Sequence, residues 1–394
     1  MHQTHQKILL GITGGIAAYK AAELVRLLIK SGIEVQVVMT QAACQFITPV
    51  TMQALSGRPV FTDMWDSSIA NGMPHIELSR TADAIIVAPA SADFLAKLVH
   101  GRADDLLSTL CLARDCPLVV APAMNKQMWE AAATQRNIKQ LLEDNVTILG
   151  PDSGEQACGE VGLGRMLEAE ALAILVKGFL TPKLLAGKKI LVTAGATLEK
   201  IDPVRGITNF SSGKMGYAIA QIAADMGAKV TLVRGVSSLD PPYGVKSIAA
   251  ESAEALYQAV MTNIQQQDIF ISVAAVADYS VDSPSSEKIK KGESSLTLTL
   301  KRNKDILAEV ASLPNAPFCV GFAAESQNLI KNASQKRLAK KLPLLVANLV
   351  SESMGTDEAT ITLLDDTGTH ALPRADKITL AHEILTHLSH MLEK

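Results

Sequence analysis

The 394-residue sequence has little of what defines several other classes of protein. Its cysteines are few, odd in number and without a CxxC pair, which disfavours both a disulfide framework and a zinc site. No stretch reaches the roughly 18 apolar residues of a membrane span, and no basic region followed by a long apolar run opens the chain. We therefore expect free thiols, a cytoplasmic location and no membrane partner. The five cysteines are Cys44, Cys111, Cys116, Cys158 and Cys319.

The chain also has little excess charge of either sign. The net charge of -3 and the pI near 6.3 provide no field that would attract a polyanion, so nucleic acid is not an expected partner. What the chain does have is a hydrophobic content of 48% beside a charged content of 20%, which is typical of a globular protein with large cores. Its length fits two domains of roughly 150 to 200 residues.

The N-terminal part begins with a strand, a glycine turn, a helix and a second strand. We predict the strands at residues 7–11 and 35–39 and the helix at residues 16–30. This order forms a βαβ unit, which requires a parallel sheet with a right-handed crossover. Further strands are predicted at residues 84–88, 118–121 and 146–149. The first part is therefore predicted to be an open α/β sheet.

A second sheet begins near Lys188, where KKILVTAGAT repeats the character of KILLGITGG. The preceding segment GFLTPKLLAG is typical of a linker, so we place the boundary near residue 189. A duplication would give the same pattern, but we favour independent domains. We expect two open, mostly parallel, three-layer Rossmann-like α/β domains, 1–189 and 190–394. Later strands are predicted at residues 269–274, 296–300, 319–322 and 344–347, a hairpin around 366–368, and a polar, mobile loop at 278–292.

Glycines 11, 14 and 15 lie between the first strand and the first helix, where backbone N–H groups and a helix N-terminus can bind a phosphate. A dinucleotide site would place Asp or Glu after the second strand, but Thr40 stands there. A short hydroxyl suits a mononucleotide phosphate better. The glycines could also do no more than permit a tight turn.

Four polar residues follow strands or lie in loops of the first domain. Ser91 and Asn125 each follow a predicted strand, at the sheet edge where open α/β folds bind ligands. His75 lies in the loop segment NGMPHIELS, and Cys158 lies in SGEQACGEVGLGRM, whose glycines indicate a flap that can close over a ligand. Each has a simpler interpretation: a turn or cap residue, a solvated histidine or a structural cysteine.

Taken together, these segments identify a protein family more specifically than any one of them does. The chain resembles, over essentially its full length, the bifunctional phosphopantothenoylcysteine decarboxylase/phosphopantothenate–cysteine ligases. Its first half is similar to flavin-binding cysteine decarboxylases in GITGGIAAYK, His75, PAMNKQMW and QACGE with GRM, while Asp93 stands where some members have Asn. The resemblance implies an FMN site at Gly14, Gly15, Ile16, Thr40, Ser91 and Ala92.

The resemblance also implies the reaction of the first half, a decarboxylation. A carboxylate leaves easily only if its electrons have an acceptor, and oxidation of the substrate thiol by FMN provides one in the form of a thioaldehyde. After CO2 leaves, the reduced flavin returns a hydride and Cys158 returns a proton. His75 is implied in the oxidative or decarboxylation stage, and Asn125 in holding the substrate carboxylate or amide.

The second half resembles the CTP-dependent ligase domain in AAVADY with KIKK, NKDIL and GFAAES. CTP would convert the carboxylate of 4′-phosphopantothenate into an acyl-cytidylate, which the amine of L-cysteine then attacks. Asn209 and Lys288 are implied in acyl-cytidylate formation and conversion. Ala196 and Lys304 depart from the family pattern, in which these places commonly hold glycine and proline. The implied CTP site comprises Ala274, Ala275, Asp278, Lys288, Asn303, Lys304, Asp305, Ile306, Phe322, Lys336 and Lys340.

Two other functions compete with this interpretation. An NAD(P)-linked oxidoreductase is disfavoured by the missing acidic residue after the second strand, and a flavin-binding regulatory subunit is disfavoured by the retained His75, Asn125 and Cys158. Lysine runs such as those at 288–291 and 336–341 are usually solvated faces, although polyphosphate and Mg²⁺ would give them a purpose. Metal ligands stay unassigned. By resemblance the chain is expected to be a homo-oligomer, a dodecamer if trimeric and dimeric contacts combine.

Overall fold

The computed structural model describes residues 6–65, 74–157, 159–290, 296–350 and 356–393. The chain divides into two compact units, Met1–Leu180 and Thr181–Lys394. Residue 189 is the first residue of the strand that opens the second unit's sheet. A search of the described residues finds no helix with the length and apolar character needed to cross a bilayer.

The first unit contains a five-stranded, fully parallel sheet in the order β2-β1-β3-β4-β5. This confirms the predicted parallel sheet, and the order is one of the two common doubly wound arrangements. Four of the five strands are almost entirely buried because helices cover both faces. The strands are β1 Lys7–Ile12, β2 Glu34–Met39, β3 Ala84–Ala90, β4 Leu118–Pro122 and β5 Thr147–Ile148.

Alternate residues of the strands point into two cores. Ile8 and Leu10 pack with α1, α2 and α8 on one face, and Leu9 packs with α3, α4, α5 and α7 on the other, which gives the predicted three layers. The helices are α1 Ala18–Lys30, α2 Pro49–Ser56, α3 Pro74–Arg80, α4 Ala92–Val99, α5 Leu106–Ala113, α6 Lys126–Glu130, α7 Ala132–Glu143 and α8 Ala169–Leu180.

A separate antiparallel hairpin joins β5 to α8. Its strands are β6 Asp152–Glu155 and β7 Val161–Arg165, and the glycine-rich segment predicted to be a flap contributes residues to both of them.

The second unit contains an eight-stranded sheet in the order β12-β11-β8-β13-β16-β17-β18-β19. The first six strands are parallel, and the last two form the predicted antiparallel hairpin. Counted along the chain, the parallel strands have the 3-2-1-4-5-6 order of Rossmann folds. The strands are β8 Lys189–Ala194, β11 Lys229–Arg234, β12 Lys246–Ala249, β13 Ile269–Ser272, β16 Phe318–Glu325, β17 Leu344–Leu349, β18 Glu358–Asp365 and β19 Gly368–Asp376.

Helices cover both faces of this sheet as well. One core joins α9 and α13 to the sheet, and the other joins α10, α11 and α12. The helices are α9 Lys214–Asp225, α10 Ala253–Asn263, α11 Ile306–Ala311, α12 Leu329–Ala339 and α13 Lys377–Leu392.

Two short ribbons lie outside the main sheet: β9 Leu198–Asp202 with β10 Arg205–Thr208, and β14 Tyr279–Val281 with β15 Leu300–Arg302. The strand predicted at residues 296–300 is wrong except at Leu300. Its alternating LTLTL pattern packs against no core, since Leu296 and Leu300 are 55% and 44% exposed. The polar segment 278–292 is not entirely loop, because β14 pairs with β15.

Candidate functional site

The carboxyl ends of β1 and β3 mark the switch point of the first sheet, because the chain leaves these neighbours in opposite directions to reach β2 and β4. A cavity of about 670 Å³ opens there. Ligands of open α/β folds bind at such edges. Of the residues predicted for the first unit, Gly14, Gly15, Ile16, Ser91, Ala92 and Asn125 line this cavity.

The glycine turn after β1 packs closely on the loop after β2. A Cβ at Gly14 would lie 2.6 Å from the Cβ of Ala42, so the two loops approach this closely only with glycine, whereas a Cβ at Gly15 would have nothing within 4 Å. Thr40 supports the same loop, since its Oγ1 accepts a hydrogen bond from the Ala43 N–H at 3.2 Å. Thr40 is not among the described residues that line the cavity.

Thr13 links the loops that follow β1 and β3. Its Oγ1 donates to the Pro89 carbonyl at 2.8 Å and accepts from the Ser91 N–H at 2.9 Å. The Ser91 hydroxyl accepts from the Phe94 N–H at 3.2 Å and caps α4, whose first residue is Ala92. The start of α4 is therefore held at the cavity, and Ser91 is a helix cap at the predicted sheet edge.

Large apolar side chains also line this cavity while remaining open to solvent. Ile16, Tyr19 and Met128 are 63%, 60% and 49% exposed. An apolar wall beside a glycine turn and a helix start suits a ligand with a flat ring system at one end and a phosphate at the other. The residues present therefore fit a flavin mononucleotide.

Asn125 connects the end of β4 to the β6–β7 hairpin. Its Oδ1 accepts from the Gln127 N–H at 2.8 Å and caps α6, while its Nδ2 donates to the Glu160 carboxylate. The Gln156 side chain accepts from the Lys126 N–H at 3.0 Å. Asn125 is thus both the cap residue of the simpler interpretation and a cavity residue in contact with the flap.

The other two residues of the predicted decarboxylase site are not placed at this cavity. Cys158 lies outside the described residues, although its neighbour Ala157 lines the cavity. His75 lies on α3, its buried Nδ1 has no hydrogen-bond partner among the residues that the structure describes, and it is not among the described residues that line the cavity. An orphaned buried nitrogen of this kind requires an explanation.

Lys20 is a functional candidate that the sequence analysis missed. Its side chain lines the cavity on a helix face that is otherwise apolar, and the residue is only 5% exposed. Its Nζ donates to the Met166 carbonyl at 3.0 Å and to the Glu168 carboxylate at 2.9 Å. The hydrogen bond to Glu168 lowers the pKa of that carboxyl. A lone lysine on the buried face of α1 was the available signal.

The second sheet has its own switch point between β8 and β13, with a cavity of about 300 Å³. Three residues of the predicted CTP site line it: Ala274, Ala275 and Phe322. The segment SSGK before and at the start of α9 lines it too, and its hydroxyls, its glycine and the helix start form an anion-receptive arrangement. This segment is formed by Ser211, Ser212, Gly213 and Lys214.

The departure at Ala196 does not disturb the turn after β8. The left-handed conformation falls on Gly195, with φ of 82°, and Ala196 has no positive φ. Ala196 is 3% exposed and bridges Val236 and Ala275 by backbone pairing. Alanine therefore fits this position.

Lys214 and Lys377 bring two positive charges to the second cavity. Lys214 forms an ion pair with Asp357, and Lys377 donates to the Thr356 carbonyl at 2.6 Å. Burial lowers the pKa of Lys377, and the Lys214 charge lowers it further. A phosphate bound here would relieve this repulsion.

Asn209 and Lys288 are held by different contacts. The Asn209 amide donates to the Ala275 carbonyl at 2.8 Å, which joins the end of β10 to the cavity wall. Lys288 is exposed, but the next residue, Ile289, donates through its N–H to Asp202 at 3.2 Å. Asp202 is 1% exposed, and the Arg205 hydrogen bond holds the pKa of its carboxyl well below the usual range.

The remaining residues of the predicted CTP site are not among the described residues that line this cavity. Most of them contact other side chains or the backbone of the second unit. Asn303 binds the loop after β13 through the carbonyls of Ala277 and Asp278, both at 2.8 Å. Asp305 caps α11 and pairs with Lys340 at 2.7 Å. The other members contact neighbours: Lys336 pairs with Glu325 at 2.6 Å, Lys304 lies 4.0 Å from the Tyr257 ring centroid, and Ile306 is in the core.

Comparison with known proteins agrees with this division. Residues 1–181 match the family model described as Flavoprotein, and residues 185–392 match the model described as DNA/pantothenate metabolism flavoprotein C-terminal domain. The fold and the two cavities therefore define a protein that joins a flavoprotein domain to a second α/β domain of this type.

Full-length relatives share both halves. The chain is 51% identical to the coenzyme A biosynthesis bifunctional protein CoaBC of Vibrio vulnificus (strain CMCP6), over 98% of each chain. It is 46% identical to the CoaBC of Escherichia coli (strain K12), over 97% of this chain and 96% of the relative. The crystal structure of a CoaBC C-terminal domain matches with 39% identity and a TM-score of 0.47, covering 54% of this chain and 98% of that one. The chain belongs to the family of bifunctional coenzyme A biosynthesis enzymes, which combine a decarboxylase and a ligase.

Proposed function

We propose that the chain makes 4′-phosphopantetheine in two steps. Residues 190–394 would couple L-cysteine to 4′-phosphopantothenate through an acyl-cytidylate, with CTP converted to CMP and pyrophosphate. Residues 1–189 would then decarboxylate the cysteine conjugate with FMN. The observation that carries the proposal is one chain with a ligand-sized cavity at the switch point of each of two differently ordered parallel sheets.

In the first unit, Gly14, Gly15, Ile16, Ser91 and Ala92 would hold FMN, with Thr40 supporting the adjacent loop. When bound, FMN supplies the two-electron oxidation of the substrate thiol and the later return of those electrons. Asn125 would bind the substrate carboxylate or amide, because its amide offers both a donor and an acceptor at the cavity wall.

His75 and Cys158 complete the proposed decarboxylase site. His75 would assist the oxidative or decarboxylation stage, and its buried Nδ1, which no group in the described part of the chain contacts by a hydrogen bond, would hold a proton or a substrate group. Cys158 would return the proton that completes the aminoethanethiol product. Its place in the sequence between β6 and β7, next to the cavity residue Ala157, supports this role.

In the second unit, the acyl-cytidylate forms because a carboxylate is a poor electrophile until one oxygen becomes a leaving group. Asn209 and Lys288 would act on this intermediate, supported by the contact of Asn209 with the cavity wall. Mg²⁺ would accompany the CTP phosphates. The proposed CTP site comprises Ala274, Ala275, Asp278, Lys288, Asn303, Lys304, Asp305, Ile306, Phe322, Lys336 and Lys340.

We also propose a cytoplasmic homo-oligomer. The exposed Ile16 and Tyr19 at the first cavity are apolar surface that a second copy would cover, and trimeric and dimeric contacts together would give a dodecamer. The described cysteines Cys44, Cys111, Cys116 and Cys319 are free, which is expected in a reducing compartment.

The test uses Cys158→Ser with 4′-phosphopantothenate, CTP, cysteine and magnesium. Pyrophosphate should form as in the parent protein, while an oxidised, decarboxylated intermediate accumulates instead of 4′-phosphopantetheine. Cys116→Ser, which changes a half-buried cysteine away from the cavity lining, is the matched control and should leave both products unchanged. Normal 4′-phosphopantetheine turnover by Cys158→Ser would refute the proton-donor role.

A further inference from the structure

A cluster of two histidines and one aspartate lies in the second unit. The Nε2 atom of His387 is 2.7 Å from Asp365 Oδ2, and the Nε2 atom of His370 is 3.2 Å from Asp365 Oδ1. One ligand atom from each residue can be chosen so that all three lie within 4.8 Å of one another. None of the three residues is in the described lining of either cavity.

The fold brings these residues together from three elements. Asp365 ends β18, and His370 lies on β19 opposite Leu363, so the hairpin turn between the strands sets their separation. His387 lies on α13, whose apolar face packs in the same core as Leu363. The cluster therefore joins the edge hairpin of the sheet to the C-terminal helix.

The carboxylate of Asp365 is fixed in orientation. The residue's side chain is only 2% exposed, and its Oδ1 accepts from the N–H groups of Thr367 and Gly368 at 2.7 and 3.0 Å. The cluster thus contains a buried carboxylate of fixed orientation that faces two imidazoles.

We propose that Asp365, His370 and His387 bind a divalent transition-metal ion, with Zn²⁺ as the best fit. Two imidazole nitrogens and one carboxylate oxygen are a common three-ligand set for this ion. The cysteine spacing that disfavours a zinc site bears on thiolate ligands only.

The distances support this assignment. Zn²⁺ with ligands at about 2.0 to 2.2 Å in a tetrahedral arrangement separates neighbouring ligand atoms by about 3.3 Å. The His370 Nε2 atom already lies at this distance, 3.2 Å, from Asp365 Oδ1, whereas His387 Nε2 contacts the other oxygen, Oδ2, at 2.7 Å. An ion held through one of these oxygens therefore requires the imidazole on the other oxygen to shift, starting from ligand atoms that all lie within 4.8 Å of one another. The hydrogen bonds from Thr367 and Gly368 orient the carboxylate as outer-shell partners do at metal sites.

The site is also reachable from solvent, and its nitrogen ligands distinguish it from a magnesium site. The side chains of His370 and His387 are 38% and 25% exposed, which provides an entry path and room for a water as fourth ligand. Mg²⁺ prefers oxygen ligands and retains its waters, so imidazoles select against it. The proposed ion would therefore be distinct from any Mg²⁺ that accompanies CTP.

The test measures the zinc content of the full-length, chelator-stripped protein after equilibrium dialysis against micromolar Zn²⁺. The unmodified chain should retain one equivalent more than His387→Gln or His370→Gln, each of which should bind at that site at least about 100-fold more weakly. His382→Gln, on the same helix but outside the cluster, is the matched control and should retain the full content.

A second measurement separates loss of a ligand from loss of the fold. Metal-free parent and variant proteins should unfold at similar temperatures, and added Zn²⁺ should raise the Tm of the parent and of His382→Gln only. Equal zinc content in the parent and both cluster variants, or no zinc retained by the parent, would overturn the proposal.

Discussion

Asn125 makes two kinds of hydrogen bond, and these can be separated by substitution. Its Oδ1 caps α6, and its Nδ2 reaches Glu160 beyond β6. Serine is as good an N-cap as asparagine but has no amide donor, so Asn125→Ser should preserve the helix and lose the contact with the flap. We expect CO2 release to fall by about 100-fold, the usual effect of removing one positioned donor, with pyrophosphate release unchanged.

The control for this prediction is Gln140→Ala, which changes an exposed side chain on α7 of the same unit. It should leave both products unchanged. A proportional fall of both activities in Asn125→Ser would indicate general damage to the chain and contradict a local role.

Burial sets the reactivity of two thiols. It raises the pKa of Cys111 to about 12 and that of Cys319 to about 11, so both remain protonated at neutral pH. We expect a thiol reagent at pH 8 to leave both unmodified in the folded protein and to modify them after unfolding. Peptide mapping of the labelled chain identifies the modified residues, and rapid labelling of Cys111 in the native state would contradict the buried position.

The candidate residues found from sequence share a clear local signal, whereas Lys20, which was missed, has only a weak one, a lone lysine on an otherwise apolar helix face. Gly14, Ser91 and Asn125 follow predicted strands, so the position of a parallel strand's carboxyl end was enough to indicate them. Lys20 makes its contacts to Met166, 146 residues away, and only the folded chain shows that pairing. Thr40 was predicted as a ligand contact, and the structure shows it holding the loop after β2.

At the level of elements, the long buried strands were predictable because each is a continuous apolar run followed by a turn. The short hairpins β6–β7 and β9–β10 were not, since their strands of four or five residues have mixed burial and no clear alternation. The predicted strand at 296–300 failed for the opposite reason: it alternates, yet Leu296 and Leu300 have no core to face.

The β9–β10 turn anchors the segment that carries Lys288. Asp202 accepts hydrogen bonds from Arg205 and from the Ile289 N–H, so Asp202→Asn should release this segment. If Lys288 acts on the acyl-cytidylate, pyrophosphate release should fall about 10-fold or more, while decarboxylation of added cysteine conjugate stays unchanged. Asp240→Asn, at an exposed position of the same unit, is the control and should have no effect.

The pH dependence of this anchor has a definite sign. Because the pKa of Asp202 is depressed in the folded state, its stabilising contribution is present above the ordinary carboxyl range. It is lost as the pH falls through the lower, folded-state pKa. The parent should therefore lose more unfolding free energy on acidification than Asp202→Asn, measured by denaturant unfolding between pH 7 and pH 3. Identical pH profiles would contradict the assigned role of Asp202.

For the whole molecule, the number and class of the domains could be predicted, but the order of strands could not. Two strand-turn-helix starts indicated two parallel sheets, whereas strand order depends on contacts between residues far apart in sequence. That order is what places one cavity between β1 and β3 and the other between β8 and β13. The motifs taken together, more than any single residue, indicated that the two domains catalyse two successive reactions.

The central claim is that one chain performs both reactions in sequence. The most direct test is one mixture of the purified chain with 4′-phosphopantothenate, CTP, cysteine and magnesium, in which pyrophosphate and CO2 are measured together. We expect one pyrophosphate and one CO2 for each 4′-phosphopantothenate consumed, with CO2 release dependent on CTP. Absence of both products from a folded, flavin-loaded protein would contradict it.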